Sequence, residues 1–339
     1  MPDRGEPDRV ERLRRLEALA TAALDRYRLP PDASARLVNV SENATFRVEA
    51  KSAGRQWALR VHREGYQSRN TIASELAWIE ALRRDRVVAT PTPIAGADGE
   101  LVQAVAHEGV PAPPRHVVLF TWEAGEEPHE DRDDLAERFA MLGEIAARMH
   151  AHVRKWHRPD GFERFTWDFE TTLGGRPRWG PWRGAPGLTD EIEALFARTA
   201  ALIERRLLRF GASPDRFNLI HGDLRLANLL VDGATTRVID FDDCGFGWLM
   251  YDCATTVSFF EHRPEVPDLI AAWVRGYRRV APLSRESEEE VATFIMLRRL
   301  LLAAWLGTHS ETETARALGT GYTEGTAPLC EAYLSRFSS

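Results

Sequence analysis

The spacing of apolar residues changes twice along the chain. Val10, Leu13, Leu16, Leu19, Ala23 and Leu24 recur every three to four positions, which predicts an amphipathic helix over 9–27, closed by Leu29-Pro30-Pro31. Residues 1–8, with two prolines and mixed charge, read as a loose tail. The period then falls toward two. Arg36–Val40, Thr45–Ala50 and Gln56–His62 read as strands, separated by the polar turn Ser41-Glu42-Asn43 and by Ser52-Ala53-Gly54. A helix over Ser68–Arg83 interrupts them, carrying Glu75 and placing Ile72, Leu76, Ile79 and Leu82 on its apolar face. Strands resume near Pro93–Ala97, Leu101–Val105 and His116–Trp122. This half is expected to form a five-stranded sheet with one inserted helix.

After Trp122-Glu123-Ala124-Gly125-Glu126 the period lengthens again. Leu135–Val153 reads as a helix with Phe139, Leu142, Ile145, Met149 and His150 facing inward. Thr189–Phe210 follows, and further helices are predicted near 249–260, 266–280, 285–307 and 311–335. Residues 156–187 show no period and are rich in Trp, Gly, Pro and Arg. Amid the helices lies one hairpin signal, Leu229-Leu230-Val231 and Arg237-Val238-Ile239-Asp240-Phe241 around the Asp232-Gly233 turn. The expected fold class is α+β, with two lobes. Residues 1–122 form a small antiparallel sheet lobe with an N-terminal helix, and residues 123–339 form a larger, mostly helical lobe.

Composition narrows the class of protein. The chain is 44% apolar and 28% charged, ordinary for a globular protein. Its net charge of −7 and lack of a basic block argue against a nucleic-acid partner. No uninterrupted apolar run reaches the length of a membrane span, and the charged first fifteen residues do not resemble a signal peptide. Three cysteines, Cys244, Cys253 and Cys330, without metal spacing, fit a reducing, cytoplasmic setting. Lys51 and Lys155 are the only lysines; every other basic side chain except histidine is arginine.

The chemistry concentrates around the hairpin. The stretch His221-Gly222-Asp223-Leu224-Arg225-Leu226-Ala227-Asn228 reads H-G-D-x-x-x-x-N, and Asp240 closes the second strand. The hairpin brings Asp223, Asn228 and Asp240 to one end. Two carboxylates and a carboxamide suit a hard cation such as Mg²⁺, which prefers oxygen ligands. A kinase catalytic loop has this form: an Asp for the acceptor hydroxyl, an Asn five residues on for metal, and a D-F-x Asp for metal again. An acid-rich structural hairpin is the competing reading, and the Ile239-Asp240-Phe241 strand at the kinase distance favours the chemical one.

The order of sheet, linker, helical half, H-G-D-x-x-x-x-N and I-D-F-D-D resembles the aminoglycoside phosphotransferase and choline kinase family of protein-kinase-like enzymes, over about residues 36–310. Phe241–Gly247 and Trp179-Gly180-Pro181-Trp182-Arg183 look closest to the bacterial branch that holds homoserine-kinase-like enzymes and a related stress-response kinase. The resemblance implies that Asp223 is the catalytic Asp, that Asn228 and Asp240 bind metal, that His221 is architectural and that Asp252 pins the catalytic loop. It implies that Glu75 pairs with a base on the third strand and that the backbone of Phe120, Thr121, Trp122 and Glu123 reads adenine. The short polar turn Ser41–Ala44, with Ser41 and Asn43, can in a nucleotide fold present backbone N–H groups to phosphates. The sequence departs from the family where a lysine is usual: Arg60, in Ala58-Leu59-Arg60-Val61, is the only candidate. An arginine there can bridge a carboxylate and a phosphate.

The expected activity is transfer of the γ-phosphate of Mg·ATP, bound between the lobes, to a hydroxyl of a small and possibly amine-bearing molecule, such as an aminoglycoside, an amino alcohol or homoserine. The alternatives are a bacterial stress-response type of protein Ser/Thr kinase and a non-catalytic nucleotide-binding protein. No long activation segment follows Asp240, which counts against the first; the presence of Asp223, Asn228 and Asp240 together counts against the second. Asp168 and Glu170, beside the Trp-rich stretch, are candidate amine contacts. The oligomeric state is left open.

Overall fold

A computed structural model describes residues 5–41, 43–106, 113–129 and 134–337. The chain divides into two compact units. The first comprises Met1–Gly125, Pro159–Glu163 and Leu230–Val238; the second comprises Glu126–Arg158, Arg164–Leu229 and Ile239–Ser339.

In the first unit helix α1 spans Gly5–Leu24, four residues earlier than periodicity predicts. Pro7 falls in its first turn, where a missing N–H breaks no helical bond, so the supposed tail becomes helix from Gly5 onward. Strands β1 (Ser34–Val40), β2 (Ala44–Ala50) and β3 (Arg55–Val61) follow, then α2 (Arg69–Arg84), β4 (Pro93–Ile94), β5 (Gln103–Val105) and β6 (Arg115–Thr121). All the pairings are antiparallel. All six segments read as strands join one sheet, which therefore has six strands where five were expected. It is five positions wide because β4 and β5 lie end to end on the same edge of β6, against 119–120 and 115–117 respectively.

The period of two divides β3 between environments. Trp57, Leu59 and Val61 join Phe46, Val48, Val117 and Leu119 in a core closed by Leu16, Leu19, Ala20 and Ala23 of α1. Ala58 and Arg60 take the opposite face. Helix α2 starts at a Ser68 cap, whose hydroxyl accepts the Thr71 amide. Its Glu75 is fully buried.

The second unit begins with α3 (Leu135–Val153), then β7 (Thr166–Trp167), α4 (Phe169–Thr172), α5 (Asp190–Phe210) and β8 (Phe217–Ile220). The hairpin strands β9 (Leu229–Asp232) and β10 (Thr235–Val238) come next, with residues 230–238 belonging to the first unit. Then come β11 (Gly245–Trp248), α6 (Tyr251–Thr255), α7 (Val266–Val280), α8 (Arg285–Thr308), α9 (Glu313–Leu318) and α10 (Gly321–Phe337). Two features differ from the sequence reading. The last helix is broken at Gly319, whose φ is 52°. A three-stranded sheet, β7-β11-β8, appears where no strand was expected. Helix α8 is long and apolar enough to cross a membrane, yet 78% of its most apolar stretch is buried within the protein. The three cysteines are buried, and no disulfide joins them.

Helices α3 and α7 meet backbone to backbone. A Cβ at Gly143 would collide with the Trp273 carbonyl, and one at Gly276 with the Ala140 carbonyl. This close approach makes a prediction with an unusual sign. Alanine is the better helix former by about 1 kcal/mol, but overpacking a tight contact costs about 1–3 kcal/mol. Gly276→Ala is therefore expected to lower the free energy of unfolding in denaturant titration; an unchanged or higher value would contradict the packing described.

Candidate active site

The H-G-D loop is built on a buried carboxylate. Asp252, near the start of α6, is fully buried and accepts the backbone amides of Gly222 (2.8 Å, Oδ1) and His221 (3.1 Å, Oδ2). His150 of α3 adds a contact from its Nε2 to Oδ2 at 3.0 Å, and its Nδ1 lies 3.2 Å from the Tyr277 hydroxyl. Buried carboxyl oxygens are tolerated only with such partners, so the loop's backbone position and the burial of Asp252 depend on each other. Gly222 has φ 81°, and a Cβ there would collide with the Asp243 carbonyl and with Trp167. Only glycine meets both conditions.

His221 joins this loop to the one that carries Asp240. Its Nδ1 accepts the Asp223 amide at 3.3 Å, so its Nε2 carries the proton and donates to the Ile239 carbonyl at 3.1 Å. The Ile239 amide in turn donates to the Asn228 carbonyl at 2.9 Å. Asp240 follows with φ 60°, a left-handed conformation that Asp tolerates better than most residues. Beyond it, Arg164 donates to the carbonyls of Asp242 and Cys244, and Trp167 Nε1 to that of Asp243 at 2.8 Å.

Asp223 itself is heavily engaged. Its Oδ1 accepts Arg298 Nη2 at 2.6 Å; its Oδ2 accepts Arg225 Nε at 3.1 Å and Asn228 Nδ2 at 2.8 Å. Asn228 Nδ2 also donates to the Asp223 carbonyl. This fixes the amide's orientation and leaves its Oδ1 as the atom offered to a cation, so the donor set fits an oxygen-loving metal. Burial alone would raise the Asp223 pKa; the charges of Arg225 and Arg298 outweigh it and hold the carboxyl below its ordinary range. Arg298 is buried on α8, with Nη1 3.3 Å from the Tyr251 hydroxyl and its guanidinium 5.2 Å from the Trp179 ring centre.

In the first unit Arg60 and Glu75 form an ion pair of 2.6 Å, with Arg60 12% exposed and Glu75 not at all. The Arg60 guanidinium lies 5.2 Å from the Phe120 ring centre, and Phe120 pairs with Ala58 across the sheet. The Ser41 amide donates to the Asn43 carbonyl, and Asn43 Oδ1 accepts the Arg63 amide. Ser41's amide and Asn43's side-chain oxygen therefore hold the turn together; Glu42 lies outside the described residues. Thr121 Oγ1 accepts the Thr92 amide and donates to Glu123, which also pairs with Arg237 at 2.8 Å. Trp122 stacks under Arg47, 5.0 Å from the guanidinium.

Asp168 and Glu170, the suggested amine contacts, both accept backbone amides. Asp168 caps α4, accepting the Thr171 amide and hydroxyl, and Glu170 accepts the Gly175 amide. Trp167, Trp179 and Trp182 are buried, the first two edge to face at 5.1 Å. The sequence reading missed Arg298, though its signal was present: Arg298-Arg299 interrupts the apolar run Phe294–Leu302, and arginines in such a place need buried partners.

An antiparallel sheet in one unit and a mostly helical second unit carrying the H-G-D loop define a phosphotransferase of the protein-kinase-like class. The chain matches the phosphotransferase enzyme family, APH, over residues 35–286, and belongs to it. The protein is accordingly a kinase whose acceptor is a hydroxyl group. It is 45% identical to a microcompartment-associated aminopropanol kinase of known structure, with a TM-score of 0.86 and coverage of 94% of this chain and 97% of that one. Amicoumacin kinase of Bacillus subtilis (strain 168) is 24% identical over 298 residues, 84% of this chain and 83% of that protein. The structure of amicoumacin kinase hAmiN, solved with AMP-PNP, Ca²⁺ and Ami, shares the fold at a TM-score of 0.75 and 19% identity, covering 98% and 96%.

The Arg298–Asp223 pair has a calculable signature. Because the Asp223 pKa is depressed in the folded chain, its pairing stabilises the fold above the ordinary carboxylate range and loses that effect as pH falls through the depressed value. Arg298→Met is expected to lower stability by about 3 kcal/mol at neutral pH, the scale for removing one partner of a buried pair. Denaturation at a series of pH values should show that difference shrinking only at the acid end. A difference independent of pH would mean the arginine acts by packing alone.

Proposed function

We propose that the protein transfers the γ-phosphoryl group of ATP to the hydroxyl of a small amino alcohol, using Mg²⁺, in the cytoplasm. The observation that carries the substrate class is the near full-length likeness, at 45% identity, to aminopropanol kinase. In this reading Asp223 orients the acceptor hydroxyl and takes its proton late, after the bond to phosphorus has largely formed. Its two guanidinium partners make it a weak base, which suits orientation better than early proton removal. Asn228 Oδ1 and Asp240 hold the cation, which when bound neutralises charge on the transferring group. Arg60, steadied by the buried Glu75, grips the phosphates. The backbone of Phe120–Glu123 reads adenine, while the side chains of Thr121 and Glu123 brace it. The turn at Ser41 and Asn43 faces the phosphates, and residues 1–122 and 123–339 serve as the nucleotide-binding and the catalytic, acceptor-binding lobes.

A coupled assay with ATP, Mg²⁺ and a panel of 1-amino-2-propanol, ethanolamine, choline, homoserine, aminoglycosides and a generic protein substrate tests the reading. Turnover is expected on the small amino alcohols first; turnover on protein alone would overturn it. Asp223→Asn should lower kcat by at least about a hundred-fold, the scale of general acid–base contributions, with ATP affinity by calorimetry nearly unchanged. An equal loss of both would remove Asp223 from the acceptor side.

Arg60 makes a separate prediction. Lysine keeps the charge but cannot fork between Glu75 and a phosphate. Arg60→Lys should retain part of the ATP affinity and Arg60→Ala little of it; wild-type ATP affinity in Arg60→Ala would refute the phosphate role.

A further inference from the structure

Among the described residues three non-glycine positions have positive φ: Arg86, Asp240 and Phe259. Phe259, at φ 78°, is the aromatic one, and a bulky side chain in that region is strained unless the surroundings force it. The forcing groups are two consecutive arginines of α8. Arg298 Nε donates to the Ser258 hydroxyl at 3.2 Å. Arg299 Nη1 pairs with Glu261 at 2.6 Å, and its other nitrogens donate to Thr326 and to the Tyr322 carbonyl. Ser258, Phe260 and Glu261 are all buried, whereas Phe259 remains partly exposed. The segment is thus pinned on both sides of one residue, and that residue's ring is what the strain presents.

The ring lies beside Arg225. Its centroid lies 5.7 Å from the guanidinium of Arg225, the group that donates to Asp223 Oδ2. Behind it stand the buried rings of Trp305 at 6.4 Å and Tyr322 at 6.0 Å. A strained backbone held by buried ion pairs, next to an arginine that donates to Asp223, is the kind of conformation that surroundings maintain at functional sites. We infer that Phe259 is a specificity-determining wall of the acceptor site, limiting the size of alcohol that reaches Asp223. The inference rests on the acceptor-side role proposed for Asp223. Removing the ring would open a space lined by Trp305 and Tyr322, suited to a flat apolar substituent.

Phe259→Gly, which relieves the positive φ, and Phe259→Asn, which tolerates it, test this with two acceptors: 1-amino-2-propanol and 2-amino-1-phenylethanol. The ratio of kcat/KM for the phenyl over the methyl compound is expected to rise about ten-fold or more in both variants, the scale on which apolar pockets discriminate by size. KM for ATP should stay within about two-fold, as expected for a change in acceptor binding alone. A second readout does not depend on the acceptor: a breached wall admits water, so acceptor-free ATP hydrolysis should rise several-fold. If the wild-type enzyme uses no amino alcohol but hydrolysis rises in the variants, the substrate class fails and the wall stands. If neither the ratio nor the hydrolysis changes, Phe259 is a packing residue and the inference is overturned.

Discussion

The buried carboxylate of Asp252 is the constraint on which the second unit's chemistry depends. Buried carboxyl oxygens are unfavourable unless they are hydrogen-bonded, and their partners here are two amides of the H-G-D loop and an imidazole. That dependence turns a loop, ordinarily the softest part of a fold, into a fixed scaffold. From it His221 reaches the Ile239 carbonyl, and Asn228 and Ile239 exchange a backbone bond, so Asp223, Asn228 and the residue before Asp240 are set by one chain of contacts.

Helix α8 supplies the other half of the electrostatics. It is apolar enough to resemble a membrane span, and its two central arginines point to different acids: Arg298 to Asp223, Arg299 to Glu261. Burial works to lower the Arg298 pKa, and the neighbouring Tyr251, Asp223 and Asp243 more than reverse it. The guanidinium therefore remains a fixed positive charge beside Asp223, and the same helix that fills the core also sets the basicity of the candidate catalytic group.

What the sequence revealed divides by distance along the chain. Helix α3 was legible residue for residue because its buried stripe repeats within nineteen positions. The loop chemistry was legible because His221, Asp223 and Asn228 lie within one short motif. Strands β7, β8 and β11 were not: two to four residues carry no period, and Phe217 meets Trp248 and Thr166 meets Phe246 only after folding. Arg298 shows in the sequence as a charge within an apolar run, but its partner does not, since Asp223 lies 75 residues away. Helix α1 starts before its apolar period does, because a proline in the first turn removes no helical hydrogen bond and the charged residues there carry no periodic signal.

The arginine on β3 changes how the protein meets reactive molecules. A lysine at this position would present a primary amine; Arg60 presents a guanidinium, which forms no Schiff base with aldehydes and resists acylation at neutral pH because it does not surrender its proton. The only two lysines, Lys51 and Lys155, are both exposed, one at the end of a strand and one just beyond α3. Electrophiles that inactivate enzymes through an essential amine would modify this protein on its surface and leave the Arg60–Glu75 pair chemically intact.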